Sequence, residues 1–212
     1  MQTFIITIVL FLCSSMGMKA QTHYEQELTT ALELWQDQKP QEAAKLFEHI
    51  ATAEGKKWLP YYYSSQIKIV ESFDMTNRTK KEQLLREAQG LLNKAKELEG
   101  DEVELMVLQA MLHTSRLTID PDTYGMTLAP VITGIYAEAA KIAPENPRLV
   151  LSKTEWEIGS APYYGEDPKI YCPDLKAGLA LFENEDDAPT QAPTWGKERL
   201  QRLIAKTCDS EN

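Results

Sequence analysis

A short pattern of small and apolar residues returns along this chain at nearly constant intervals, and it constrains the fold more than any other feature. Ala43, Phe47 and Ile50 are spaced by four and three residues, so they lie on one face of a helix. The leading residues of four such triads are 45, 44 and 45 positions apart. An interval this regular predicts a stack of similar units. The later triads are Ala88, Leu92, Ala95; Ile132, Tyr136, Ala139; and Ala177, Leu181, Asn184.

Breakers and small residues divide each unit into two helices. Gly55, Gly100 and Pro144 follow the first three triads, where a helix must end. A small residue also precedes each triad, in the helix before it, and small side chains there allow two helices to approach closely. The sequence therefore predicts an all-α fold of about four antiparallel helix pairs. The small residues are Ala31, Ser65, Ala110 and Thr154.

Three segments carry a family resemblance. The run 40–43, which opens the second helix of the first unit, and the stretches 94–98 and 140–147, at the end of a helix and its turn, are similar to the tetratricopeptide repeat. The likeness extends over roughly residues 24–185. As a whole the chain resembles the short exported tetratricopeptide-like proteins of Gram-negative bacteria. The resemblance implies a right-handed superhelix of helical hairpins that binds peptides or proteins and has no catalytic residues of its own.

The chain departs from that family by ten or eleven extra residues between the two helices of units two to four. The inserts include residues 73–78, 119–126 and 161–167, and their common position places them on one edge of the stack. They are either a binding surface built from aromatic and acidic loops or extensions of the helices, and we favour the extensions. As a binding surface they would offer the side chains of Tyr124, Tyr163, Tyr164, Asp120 and Asp122.

Two further interpretations concern single clusters. In the aromatic run 58–63, Tyr61 shares a helix face with Ser65, so Trp58 and Tyr61 are expected in the core. Tyr62 and Tyr63 then point elsewhere, and we predict that they are exposed and available to a ligand. Asp120 and Asp122, with acidic residues 166–167, offer oxygen ligands for calcium, but a turn followed by a helix cap is the simpler explanation.

The amino terminus predicts export. Residues 4–12 form an apolar run broken only by Thr7, too short to span a bilayer, and small and polar residues follow it. We therefore assign residues 1–20 to a signal peptide cleaved after Ala20, and place the mature chain in the periplasm or outside the cell. Cys13 raises the question of lipidation, but no small residue precedes it, so simple export ranks first. The mature chain is predicted to contain no membrane-spanning segment.

The remainder of the chain divides into a repeat domain, 21–184, an acidic proline-containing loop, 185–193, and a capping helix, 194–207, with Thr194 as its N-cap. Cys172 and Cys208 form a disulfide in an oxidising compartment or remain two separate thiols. A bridge across roughly 36 residues would remove about 3.8 kcal/mol of unfolded-state entropy in the chain-entropy model.

Composition and motifs narrow the function. The net charge of −10 disfavours nucleic acid and anionic lipid as partners. The sequence contains no glycine-rich phosphate loop, no Gly-x-Ser-x-Gly and no histidine pair with metal-ligand spacing. We therefore expect no enzyme activity, cofactor or metal, and favour an adaptor that binds a protein or peptide. The alternatives are a small-ligand or glycan-associated binding protein, using Tyr62, Tyr63, Tyr163 and Tyr164 as stacking platforms, and an enzyme without a recognisable motif.

Overall fold

The computed structural model describes residues 23–185 and 192–209, and within these ranges the chain is helical and contains no strand. The predicted signal peptide and most of the predicted acidic loop lie outside the described residues. The prediction of an all-α fold is confirmed. A short 3-10 helix, Pro168–Tyr171, stands between α7 and α8. The α-helices are α1 (23–36), α2 (Pro40–Glu54), α3 (Trp58–Asp74), α4 (Arg78–Glu97), α5 (Glu102–Leu117), α6 (Pro121–Ile142), α7 (Pro147–Tyr164), α8 (Cys172–Glu183) and α9 (Lys197–Thr207).

Side-chain caps set where four of these helices begin. A carboxylate or amide oxygen at the N-cap of α4, α5, α6 and α7 accepts the backbone N–H three residues further on, which satisfies one of the free donors of the first turn. The capping residues are Asn77, Asp101, Asp120 and Asn146. At the other end of α2, Gly55 takes a left-handed conformation with φ of 48° and stops the helix.

The small residues and the triads meet inside the helix pairs. The Ser65 hydroxyl donates to the Ala88 carbonyl at 2.9 Å, so α3 and α4 approach closely at the predicted point. Ala110 is also fully buried. All residues of the first three triads are buried in one continuous core that extends from α1 to the start of α7.

The first helices of successive pairs run parallel to one another. Tyr62 in α3 contacts Glu104 in α5 at 2.9 Å, and Ser72, ten residues later, contacts Ser115 at 2.6 Å. α5 and α7 are aligned in the same direction, with Glu104 beside Arg148 at 2.7 Å and Met111 beside Ser152 at 3.9 Å. α3, α5 and α7 therefore all end at one edge, which we call the turn edge: residues 75–77, 118–120 and 165–167.

Most of the extra residues are helical. Residues 119–126 belong mostly to the first turns of α6, and residues 161–164 to the last turn of α7, whereas 75–77 and 165–167 are loop. The inserts are therefore mainly extensions of the helices, but Tyr163 and Tyr164 are exposed rather than packed. The effect of the inserts is to carry the ends of the helices further toward the turn edge.

The fourth triad and the capping helix need correction. In α8 the buried residues are Leu175, Gly178 and Phe182, whereas Ala177 is exposed, because this helix packs between α7 and α9. The capping helix begins at Lys197, not at Thr194. The reason is that Thr194 is bound to Tyr63, and Gly196, with φ of 118°, lies outside helical geometry.

The carboxyl-terminal part has a small core of its own. Leu151, Leu175, Phe182 and Leu200 form a cluster separate from the main core. Cys172, at the start of α8, is bonded to Cys208, just after α9, with 5.8 Å between the two Cα atoms. The disulfide therefore fixes α9 to α8.

Candidate functional site

The prediction that Tyr62 and Tyr63 are exposed is wrong. Both side chains are fully buried, and burial raises the pKa of both phenols. Because α3 is enclosed by α2, α4 and α5, and residues 194–195 cover its start, it has no solvent-facing side at this level. Trp58 and Tyr61, expected in the core, are only half-buried.

The aspartates of the second insert organise a helix end. Asp120 accepts from the backbone N–H of Thr123 at 3.1 Å and from its hydroxyl at 2.8 Å, and these hydrogen bonds lower the pKa of Asp120. It also pairs with Arg78 at 3.6 Å, which joins two turns of the turn edge. Asp122 is exposed in the first turn of α6, and Tyr124 is half-buried. Residues 23–185 and 192–209 hold no cluster of three His, Cys, Asp or Glu able to bind a metal.

Three large side chains near the turn edge are almost entirely in solvent. Tyr163 and Tyr164, at the end of α7, are 82% and 75% exposed, and Met126, near the start of α6, is 88% exposed. Exposed apolar residues are ordinary when scattered, but contiguous ones mark binding surfaces. Met126, Tyr163 and Tyr164 can form one surface only if the ends of α6 and α7 at the turn edge lie side by side.

One contact fixes the register of α6 and α7. The Trp156 indole N–H donates to the Thr133 hydroxyl at 3.1 Å, and α6 and α7 run in opposite directions. Met126 lies seven residues before Thr133, and Tyr163 lies seven residues after Trp156. Seven residues are nearly two helical turns, or about 10 Å along the helix axis. Met126 and Tyr163 therefore lie closer to the turn edge than Thr133 and Trp156 by the same distance, each on the same helix face as its reference residue. This spacing places Met126 and Tyr163 at a similar level of the two helices, near the turn edge.

Met126 and Tyr163 do not pack on each other, since both are more than four-fifths exposed, and a Cβ added at Gly159, one turn before Tyr163, would meet no atom within 4 Å. Each helix also carries an interior proline near this level, Pro130 in α6 and Pro162 in α7. We call the exposed surface that these residues form the α6–α7 slot: Met126, Pro130, Gly159 and Tyr163.

The slot combines an apolar lining with an acidic surround. A thioether and a phenol ring stand on its two sides, and Tyr164 lies beside it. The exposed carboxylates of Asp122, Glu166 and Asp167 lie at the same edge. Such a site can hold a flat apolar group by dispersion and ring stacking, and none of the four residues that define it is a cation.

Two cavities lie between the second helices of neighbouring pairs. One, of about 430 Å³, lies above α5 between α4 and α6, and the other, of about 420 Å³, lies above α7 between α6 and α8. Leu105 and Met106 in the first correspond to Leu149 and Val150 in the second, one repeat later. Beside the first cavity, Gln109 contacts His113 at 3.0 Å, and burial lowers the pKa of that histidine.

Met126 is the functional candidate that sequence reasoning missed. Two seven-residue intervals, from Met126 to Thr133 and from Trp156 to Tyr163, indicate Met126 as a candidate. These intervals can be interpreted only when the Thr133–Trp156 contact is known. Of the predicted site residues, Tyr163 and Tyr164 are exposed near the turn edge, as this methionine is. It removes Tyr62 and Tyr63 from the surface altogether.

Comparisons with known proteins agree with the architecture. No protein-family model and no curated protein sequence matches the chain. Among solved structures, the HusA haemophore from Porphyromonas gingivalis matches with a TM-score of 0.74 and 24% sequence identity, over 88% of this chain and 91% of that chain. At this identity the likeness establishes the fold alone. No helix within residues 23–185 and 192–209 combines the length and the apolar character that crossing a bilayer requires.

Proposed function

We propose that this chain binds and carries a flat, largely apolar small ligand of the haem class in the α6–α7 slot. The observation that carries the proposal is the exposure of Met126 and Tyr163, which the Thr133–Trp156 hydrogen bond places at a similar level of α6 and α7. The haemophore with a similar fold supports the choice of ligand class. The proposal makes the protein a binder rather than an enzyme.

Burial of the exposed side chains supplies the driving force. Covering a large apolar side chain contributes about 2 kcal/mol, so Met126, Tyr163 and Tyr164 together contribute roughly 6 kcal/mol. The apolar face of the ligand adds to this, and immobilising the ligand opposes it by at least about 4 kcal/mol. The balance is consistent with a carrier that both captures and releases its ligand.

The charge around the slot determines how the ligand lies. The surrounding carboxylates repel the acidic groups of a porphyrin, and the net charge of −10 adds to that repulsion. We therefore propose that the ring enters the slot and the ligand carboxylates remain in solvent. Added salt screens this repulsion, so binding should become tighter as ionic strength rises.

An absorbance titration tests the proposal. Haemin and iron-free protoporphyrin are each added to the full chain at about 50 and 500 mM salt, within the range where screening changes strongly. We expect saturable binding of both, because the slot binds the ring and not the metal, and a lower Kd at the higher salt. Absence of saturable binding would refute the ligand class, and weaker binding at high salt would refute the orientation.

The finer features of the architecture and the compartment belong to the same proposal. We propose that the helix pairs form a right-handed superhelix of the tetratricopeptide kind and that the protein is exported to the periplasm or beyond the cell. A second candidate function is the adaptor predicted from the repeat resemblance. It is favoured by the two repeat-related cavities of about 430 and 420 Å³, which could seat apolar side chains of a protein partner at successive positions.

A further inference from the structure

The segment that precedes α9 lies across the start of α3. We call residues 192–196 the strap. The backbone N–H of Thr194 donates to the Tyr63 hydroxyl at 3.0 Å, and the Trp195 indole N–H donates to the Tyr62 hydroxyl at 2.7 Å. These contacts join residues more than 130 positions apart in the chain. The strap therefore covers the two tyrosines that would otherwise face solvent.

Beneath the strap is a buried polar network. Tyr62 donates to Glu104 at 2.9 Å, and Glu104 also accepts from Arg148 and from Asn146, each at 2.7 Å. Arg148 in turn donates to Glu185, at the end of α8, at 2.6 Å. This hydrogen-bond network links the first turns of α3, α5 and α7. The carboxyl-terminal part of the chain covers it.

The strap is seated closely, whereas α9 has a single fully buried side chain. A Cβ at Gly196 would lie 2.7 Å from Phe182, so the backbone can reach this position only as glycine. Beyond it, Leu200 is the only fully buried side chain of α9, the cluster it joins is separate from the main core, and Arg199 pairs with Glu155 at 2.8 Å. A helix with one fully buried side chain opens more readily than the core. The Cys172–Cys208 bond fixes its far end.

We propose that the strap is a redox-controlled cover, which the Cys172–Cys208 disulfide holds shut and a dithiol reductant opens. The reductant is oxidised to its own disulfide, the two protein sulfurs become thiols, and no other bond changes. Opening detaches α9 and the strap and exposes Tyr62, Tyr63 and Arg148. The surface uncovered is aromatic and hydrogen-bonding, and it lies at the edge opposite the α6–α7 slot.

Tyrosine nitration tests the cover directly. The full chain, oxidised or reduced with dithiothreitol, is blocked with iodoacetamide, treated with tetranitromethane and mapped by mass spectrometry. In the oxidised protein we expect nitration at Tyr163 and Tyr164, which are exposed, and protection of Tyr62, Tyr63 and Tyr24. Reduction should raise the nitration rate of Tyr62 and Tyr63 by about tenfold or more, as local opening does.

Far-ultraviolet circular dichroism distinguishes local opening from unfolding, because opening of the strap leaves helices α1 to α8 formed. Labelling of Tyr62 and Tyr63 with a retained helical signal supports the cover. Continued protection of Tyr62 and Tyr63, or their labelling together with loss of the helical signal, would overturn it. The Cys172→Ser/Cys208→Ser variant, which has no bond to reduce, should show the reduced pattern without dithiothreitol, and an oxidised-like pattern would equally overturn the proposal.

Discussion

Glu104→Ala should be among the most destabilising single changes in this protein. Glu104 and Arg148 are 2% and 4% exposed, and the Glu104 carboxylate accepts hydrogen bonds from Tyr62, Asn146 and Arg148. Removing one partner of a buried ion pair costs about 3–5 kcal/mol, because the other charge is left in the interior. Glu185 still pairs with Arg148, so we expect the lower end, about 3 kcal/mol.

Urea unfolding followed by circular dichroism measures the effect. With a slope of about 2 kcal/mol per M, the midpoint should fall by roughly 1.5 M. Glu87→Ala is the matched control, because Glu87 is likewise a glutamate in an ion pair, with Lys68, but its side chain is 45% exposed. Exposed ion pairs contribute less than about 1 kcal/mol to the free energy of unfolding. Glu104→Gln, which keeps the shape, should fall between the two. Equal midpoints for the Glu104→Ala and Glu87→Ala proteins would refute the network as a source of stability.

Three further predictions concern packing, pH and processing. Ala110→Trp should lower the unfolding free energy by at least about 1–3 kcal/mol, the usual effect of overpacking, and an unchanged urea midpoint would show that Ala110 does not separate two helices. Burial raises the pKa of Tyr24 to about 12. Its neutral form therefore stabilises the fold below pH 10, and that contribution, about 3 kcal/mol, is lost as pH rises to 12, so Tyr24→Phe should flatten the fall in stability over this range. Protein recovered from the periplasm should have the intact mass of a chain that begins at Gln21, and a chain that begins at Met1 would contradict export.

The parts of the fold that depend on local periodicity were predictable. Ala43, Ala88 and Ile132 are all buried, as their spacing requires, and the small residue Ser65 lies against the Ala88 backbone. The prediction for the fourth triad was wrong because α8 packs between α7 and α9. Its buried face contains Phe182 and Gly178 rather than the residues at the repeat positions.

The site was less predictable because exposure depends on distant segments. Tyr62 and Tyr63 lie on a helix face that local spacing left free, but residues 194–195 return from more than 130 positions away to cover it. Met126, by contrast, is 88% exposed although it lies in the first turns of a helix. Neither the return of the strap nor the exposure of Met126 can be predicted from the helical periods.

The central claim is that the α6–α7 slot binds the ligand, and the Tyr163→Ala/Tyr164→Ala variant tests it most directly. Its Kd for haemin is compared with those of the original chain and of Ile142→Ala, which removes an exposed apolar side chain at the far end of α6, and thermal melting is followed in parallel. Because both tyrosines are exposed, melting should be nearly unchanged, while the loss of roughly 4 kcal/mol of burial should weaken binding by about a thousandfold. Ile142→Ala should bind as the original chain does. Full binding by a stable double variant would contradict the account.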